Sequence, residues 1–303
     1  VAFVPGLTVF SKKLPKLQLG WDAYSLGTFL NCPRRYQYQI LEGWVPKMTA
    51  LDLEFGIRTH AALEHADIAR AGGADLMEQL RIATAFALSQ PEFDFPTPQK
   101  NRFTLVRSVV WYLLNYANKM PKHLSALHIE MPFRFDSGLS YGDESFVLCG
   151  HLDGVVELLD GIYVLERKTT KSTLNEQYFG NFTPNHQVTI YYLAGLVVFQ
   201  VPAKGVLLDA IQTVANFTAF DRRTIARTPG QLEEFTADLV HWLRFAVYYA
   251  DQNHWPMNEA SCRICPFNRV CSKDPSVRES FLQGDFLKRT WNPLIERTAG
   301  ENR

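Results

Sequence analysis

Asp153, Glu166 and Lys168 stand out because their neighbours ask for apolar partners. They lie in Leu148–Thr170, which reads LCGHLDGVVELLDGIYVLERKTT. The pattern predicts a β-hairpin: alternating residues from Val155 to Leu159, a short turn at Asp160-Gly161, and a second strand from Ile162 to Lys168. Side chains on a strand repeat every second residue, so Glu166 and Lys168 share a face and Arg167 points to the other. The spacing is G-x-x-D followed by E-x-K: Gly150, Asp153, Glu166 and Lys168. Two converging carboxylates can hold a hard divalent cation, with the ammonium beside the water which that cation polarises. A solvated sheet face with an ordinary ion pair would use the same residues, so the rest of the chain must discriminate.

The cysteines suggest a second centre. Cys262, Cys265 and Cys271 form a C-x2-C-x5-C triplet in a proline-bearing loop, and Cys32 lies far upstream in a Cys-Pro-Arg-Arg context. No secretory signal is visible, which favours metal ligation over disulfides for such a pattern. A zinc site and a cubane iron–sulfur cluster each need four ligands. The triplet supplies three, and the fourth is open between Cys32, Cys149 and a histidine such as His254. Cys149 is flanked by apolar residues and reads most simply as a core cysteine. Spacing alone does not separate zinc from iron–sulfur.

Several elements must position these groups. Ser25 is read as the cap of a short helix ending near Cys32, and Pro33 as the start of a second over Arg34–Leu41. Asp52–Arg70 has helical spacing, carries His60, and is stopped by Gly72-Gly73. Two further helices are expected over Ala74–Ser89 and Gln99–Met120, the second aromatic-rich. The pattern turns to strand over Ala126–Phe135, before the hairpin. Asn185–Phe199 reads as a helix with Gln187 and Tyr191 on one face. Lys204–Thr213 and Phe217–Ile225 read as strands, and Thr228-Pro229 opens a long helix to about Asp251. The order predicts a mixed α/β fold, a small mixed sheet flanked by helices. The 303 residues carry no net formal charge, which argues against a binder driven by bulk positive charge and leaves a metal-dependent nuclease open. No segment is long and apolar enough to span a membrane, and no Walker-type phosphate loop occurs. The protein is expected to be cytoplasmic or nucleoid-associated.

Taken together, these residues resemble the RecB-like branch of the PD-(D/E)XK nuclease superfamily. The nearest types are its iron–sulfur members: the CRISPR-associated protein-four type, the exonuclease V type and the AddB nuclease domain. The resemblance rests on Cys-Pro-Arg-Arg-Tyr at Cys32, Gly56-x3-His60, Gly150-x2-Asp153, Glu166-x-Lys168, Gln187-x3-Tyr191 and the Cys262/Cys265/Cys271 triplet, in that order. It departs from the family at Gly154, where an arginine is frequent, and the helical segment after His60 is longer than in minimal members.

The resemblance implies one nuclease domain over 1–303 with a restriction-endonuclease-like core. Residues 25–50 and 252–275 would form an iron–sulfur subregion, 61–122 a helical insertion, and 125–215 the catalytic sheet and helix. It implies a [4Fe-4S] cluster on Cys32, Cys262, Cys265 and Cys271, joining the N- and C-terminal regions. It further implies Mg²⁺ or Mn²⁺ on Asp153, Glu166, the backbone carbonyl of Arg167 and His60, an imidazole being better suited to Mn²⁺. Lys168, Gln187 and Tyr191 would complete the catalytic set. Arg34, Arg35, Lys171, Arg222 and Arg223 are candidate phosphate contacts. The expected activity is hydrolysis of DNA, at free ends or in single strands. The alternatives are a catalytically idle DNA- or partner-binding module, or the nuclease subunit of a complex for recombination or CRISPR adaptation.

Overall fold

The computed structural model describes residues 8–48, 50–117 and 119–295. A two-residue strand, β1 (Gly20–Trp21), leads into α1 (Ala23–Asn31). Its cap is Asp22 rather than Ser25: the Asp22 carboxylate accepts from the Ser25 N–H, and the Ser25 hydroxyl closes the reciprocal box. Ser25 is thus the third residue of the first turn, where a small polar side chain serves the box as well as Glu does. Cys32 ends α1, and Pro33 opens α2 (Pro33–Tyr36), which continues as a π-type turn over Gln37–Leu41. After β2 (Trp44–Pro46) come α3 (Leu51–Ala71), α4 (Leu76–Ser89) and α5 (Arg102–Asn115). The last is shorter than its periodicity predicts. Asn101 and Thr104 box its start, and beyond Asn115 the N–H groups of Ala117 and Lys119 bond three residues back, to Leu114 and Tyr116.

Strands β3 (Lys122–His123), β4 (Ile129–Tyr141), β5 (Glu144–Leu158) and β6 (Gly161–Thr170) follow. The expected hairpin is β5–β6, closed by the Leu158–Gly161 pair. Then come α6 (Glu176–Gly180), α7 (His186–Val197), β7 (Ala203–Thr213), β8 (Thr218–Ile225) and α8 (Pro229–Asp251). Thr228 caps α8 and Pro229 fills its first turn, as the sequence suggests. Short elements close the described chain: α9 (Asn268–Cys271), α10 (Arg278–Asp285) and β9 (Phe286–Lys288). None of the described helices is long and apolar enough to cross a membrane.

The described residues form two compact units. One contains 50–133 and 151–227. In it β6 pairs antiparallel with β5 and parallel with β7, and β7 pairs antiparallel with β8. The sheet is therefore mixed, as expected for this fold class. Helix α3 crosses β6 closely, since a Cβ on Gly56 would lie 3.0 Å from the Thr169 hydroxyl. Helix α7 is as close on the other face, where a Cβ on Gly195 would lie 2.7 Å from Val164. Thr169 and Val164 have opposite strand phase, so the two helices sandwich β6. Phe55, Leu63, Leu105, Val109 and Tyr112 pack the α3–α5 layer, with Ile211 contributed by β7. Many of the insertion's large side chains are thus core, while Met77, Leu88, Phe95, Phe103, Trp111 and Leu114 are exposed.

The other unit contains 8–48, Arg134–Gly150 and Thr228–Ile295. Trp21, Phe29, Tyr36 and Trp255 form its aromatic centre, with Trp21 stacked on Tyr36 at 5.3 Å. β2 and β9 pair antiparallel beside the cysteine loop.

Candidate active site

Strand β6 presents its carboxylate and ammonium together. Lys168 Nζ lies 2.5 Å from Glu166 Oε1 and donates to Gln187 Oε1 on α7 at 2.7 Å. Gln187 in turn donates through Nε2 to the Tyr191 hydroxyl at 3.0 Å, one helical turn on. Phe133 braces the Tyr191 ring edge-on at 5.7 Å. The Q-x-x-x-Y spacing thus builds a chain of hydrogen bonds ending at the lysine.

Asp153 is buried where β5 leaves the regular ladder. Its Oδ2 accepts the Arg167 N–H at 2.6 Å, and its Oδ1 lies 3.4 Å from His60 Nδ1 on α3. Burial opposes ionisation of Asp153, but the His60 ring and the Arg167 N–H and guanidinium outweigh it and hold the carboxyl below its ordinary range. Glu130, on β4, joins them: ligand atoms of His60, Glu130 and Asp153 all lie within 4.8 Å of one another. Two carboxylates and an imidazole are a donor set suited to Mn²⁺ or a similar divalent cation. Sequence reasoning missed Glu130. The available signal was an acid in opposite phase to Ile129, Met131 and Phe133, which are buried. Its backbone is left-handed, φ 48°, a strained conformation of the kind that accumulates at functional sites.

Beneath this group lies a buried charge network. The Arg167 guanidinium, on the face of β6 away from Glu166 and Lys168, donates to Asp67 Oδ2 at 2.6 Å and to the Tyr112 hydroxyl at 3.3 Å. Asp67 also meets Arg70 at 2.8 Å and the His123 ring at 3.3 Å. Tyr112 donates to Asp209 at 2.6 Å, and burial pushes its hydroxyl up to about 12, so it remains a donor. The sequence reading assigned Arg167 only a carbonyl and missed this role of its side chain. Arg222, expected among the phosphate contacts, belongs to the same network. It pairs with buried Asp209 at 2.9 Å and lies over the Tyr116 ring at 3.5 Å, because Asp209 needs a counter-charge. The absence of a side chain at Gly154 also has a cause: a Cβ there would sit 2.6 Å from the His123 ring and 3.0 Å from the His128 carbonyl.

Of the other expected contacts, Lys171 forms an exposed 3.3 Å ion pair with Asp52, and Arg223 pairs with Glu176 and Asp221. Arg34 and Arg35 lie in the other unit, among the cysteines. Arg34 Nε donates to the Trp255 carbonyl at 2.7 Å, and Arg35 Nε to Gln39 at 3.0 Å.

Cys32, Cys262, Cys265 and Cys271 are neighbours in that unit. Burial raises the Cys265 thiol, with Cys32 and Cys262 adding to the rise and Arg35 opposing it. Burial and the Cys265 thiol, with Cys32, raise Cys271, while Arg278 and Arg34 oppose. The Asn258 N–H donates to Cys32 Sγ at 3.4 Å. Four neighbouring thiols, with guanidinium groups and a backbone donor beside them, fit a soft cationic or cluster ligand. Cys149 is buried apart, its thiol donating to the Trp21 carbonyl at 3.5 Å, as a core cysteine should.

A family model described as the PD-(D/E)XK nuclease superfamily matches residues 21–272. Among solved structures, a putative exonuclease from Eubacterium rectale is 13% identical with a TM-score of 0.48, the match covering 92% of this chain and 98% of that one. The crystal structure of SSO0001 is 14% identical with a TM-score of 0.36, covering 84% of this chain and 87% of that one. No curated protein matches.

Proposed function

The chain belongs to the PD-(D/E)XK nuclease superfamily, and from that premise we propose that it is a metal-dependent deoxyribonuclease acting on DNA ends or single strands. The observation that carries the reading is the convergence of His60, Glu130 and Asp153 within 4.8 Å, on elements adjoining the strand that carries Glu166 and Lys168. These three would hold Mn²⁺ or Mg²⁺, with Glu166 and the Arg167 carbonyl proposed to complete the set. A bound cation would supply a more acidic water and offset charge developing on the phosphate.

The protein's own groups account for the rest. An ammonium has three N–H donors. Glu166 and Gln187 take two from Lys168, and the third is left for a phosphate oxygen or the attacking water. Tyr191 acts through Gln187, fixing its amide so that the carbonyl faces the lysine. Lys171, just beyond β6 and largely exposed, is proposed to contact the DNA backbone, as are Arg34 and Arg35.

The cysteines are assigned a structural [4Fe-4S] cluster on Cys32, Cys262, Cys265 and Cys271, the RecB-like iron–sulfur arrangement, with zinc as the alternative. A partner in recombination or CRISPR adaptation belongs to the same proposal and would be sought by co-purification.

The deciding experiment is digestion of end-labelled single- and double-stranded DNA with Mg²⁺, with Mn²⁺ and with neither. Cleavage should require a divalent cation and should disappear in Asp153→Ala while the melting temperature is retained. Wild-type protein that cleaves neither substrate with either metal would sink the enzymatic reading.

A further inference from the structure

His60, Asp153 and Glu130 come from three different elements, α3, β5 and β4. A metal site assembled this way works only if the elements hold a common register to a few tenths of an ångström. Asp67 is connected to all three. It lies seven residues after His60 on α3, two helical turns on and on the same side. Its Oδ2 takes the Arg167 guanidinium at 2.6 Å, and the main-chain N–H of that arginine holds Asp153 at 2.6 Å. The same carboxylate lies 3.3 Å from His123 Nε2, and the other nitrogen of that ring bonds the His128 carbonyl at 3.1 Å, two residues before Glu130.

We propose that Asp67 is the positioning residue of the metal centre, setting the distances among His60, Asp153 and Glu130 through Arg167 and His123. The inference rests on the reading of those three as cation ligands. Stability alone does not explain the arrangement. Asp67 and Arg167 are 1% and 4% exposed, and a buried ion pair can often be replaced by apolar side chains of similar size at little or no loss of stability. What an apolar pair cannot supply is a directional link from α3 to the peptide that holds Asp153. Partners lying behind ligands in this way typically change metal affinity 10- to 100-fold when removed.

The test measures Mn²⁺ affinity of the full chain from the free-Mn²⁺ electron paramagnetic resonance signal, alongside thermal unfolding without metal. Asp67→Asn should weaken Mn²⁺ binding by about 10- to 100-fold. Val109→Ala, a destabilising core truncation in the same unit, should keep affinity within about twofold of wild type. The double variant Asp67→Leu/Arg167→Met should fold and still bind Mn²⁺ weakly, which separates positioning from stability if Asp67→Asn unfolds. Near-wild-type affinity in Asp67→Asn or in the double variant would overturn the proposal, as would an equal loss in Val109→Ala. Wild-type protein binding Mn²⁺ no better than Asp153→Ala would instead overturn the metal site on which it rests.

Discussion

Lys168 has two fixed acceptors, the Glu166 carboxylate and the Gln187 amide, and both hold it without enclosing it. Lys168→Ala should therefore lower the single-turnover cleavage rate by about 10²- to 10⁴-fold, the range of a lost donor at a developing charge. Mn²⁺ affinity should change little, because Lys168 is not a ligand. Tyr191→Phe removes the acceptor that orients Gln187, so a smaller loss of rate at an unchanged melting temperature is expected. A Tyr191→Phe rate equal to wild type would return that side chain to packing against Phe133. At this scale the sequence was most legible where alternation and order acted together. Glu166 and Lys168 share a face because they are two apart, and Gln187 reaches Tyr191 because they are four apart. Glu130 was not legible: its left-handed backbone and its approach to Asp153 depend on contacts far away in the chain.

The start of α8 at Thr228-Pro229 and the Asp160-Gly161 turn were readable almost to the residue, whereas the starts of α1 and α5 were displaced by about one turn. The three-residue partners β2 and β9 were not readable, since pairing across more than two hundred residues leaves no local period. Nor was the packing of Lys100 against α3. Its side chain is buried and its Nζ lies 4.1 Å from the centre of the Phe55 ring. Burial lowers this ammonium from 10.5 to about 8, with Asp52 opposing and Lys171 adding to the shift. Between about pH 8 and pH 10.5 the unfolded chain keeps a proton that the folded chain has lost, so wild-type stability should rise with pH across that window. Below it, holding the buried charge costs on the order of 3 kcal/mol. Lys100→Met should therefore melt several degrees higher than wild type at pH 7, with the gap closing as pH approaches 10.5. A gap that stays constant from pH 7 to pH 10.5 would mean the ammonium is not desolvated in the folded state.

At the scale of the whole molecule, a ligand shared by the four proposed cysteines would be a long-range constraint on the chain. Cys32 precedes Cys262 by 230 residues, yet the structure brings them into one unit. The chain between them leaves that unit after Met48, re-enters it over Arg134–Gly150, and returns again at Thr228. A ligand bonded to Cys32 and to the Cys262–Cys271 loop would close nearly all of it into one ring, restricting the unfolded chain, and would add its binding energy to folding. Soft thiolates accept zinc or iron alike, so colour and metal content decide between them. Protein purified without oxygen should be brown, with iron and sulfide in near-equal amounts. Cys32→Ala and Cys262→Ala should each lower the melting temperature by roughly 10 °C, following from a loss of a few kcal/mol in a chain of this size. Nuclease activity should fall only as the folded fraction falls. Cys149→Ala should keep any such colour, because its thiol donates to the Trp21 carbonyl in the core. Stoichiometric zinc without iron, in protein never exposed to air, would replace the cluster with a zinc site and leave the closure argument intact. Wild-type melting in both Cys32→Ala and Cys262→Ala would remove it.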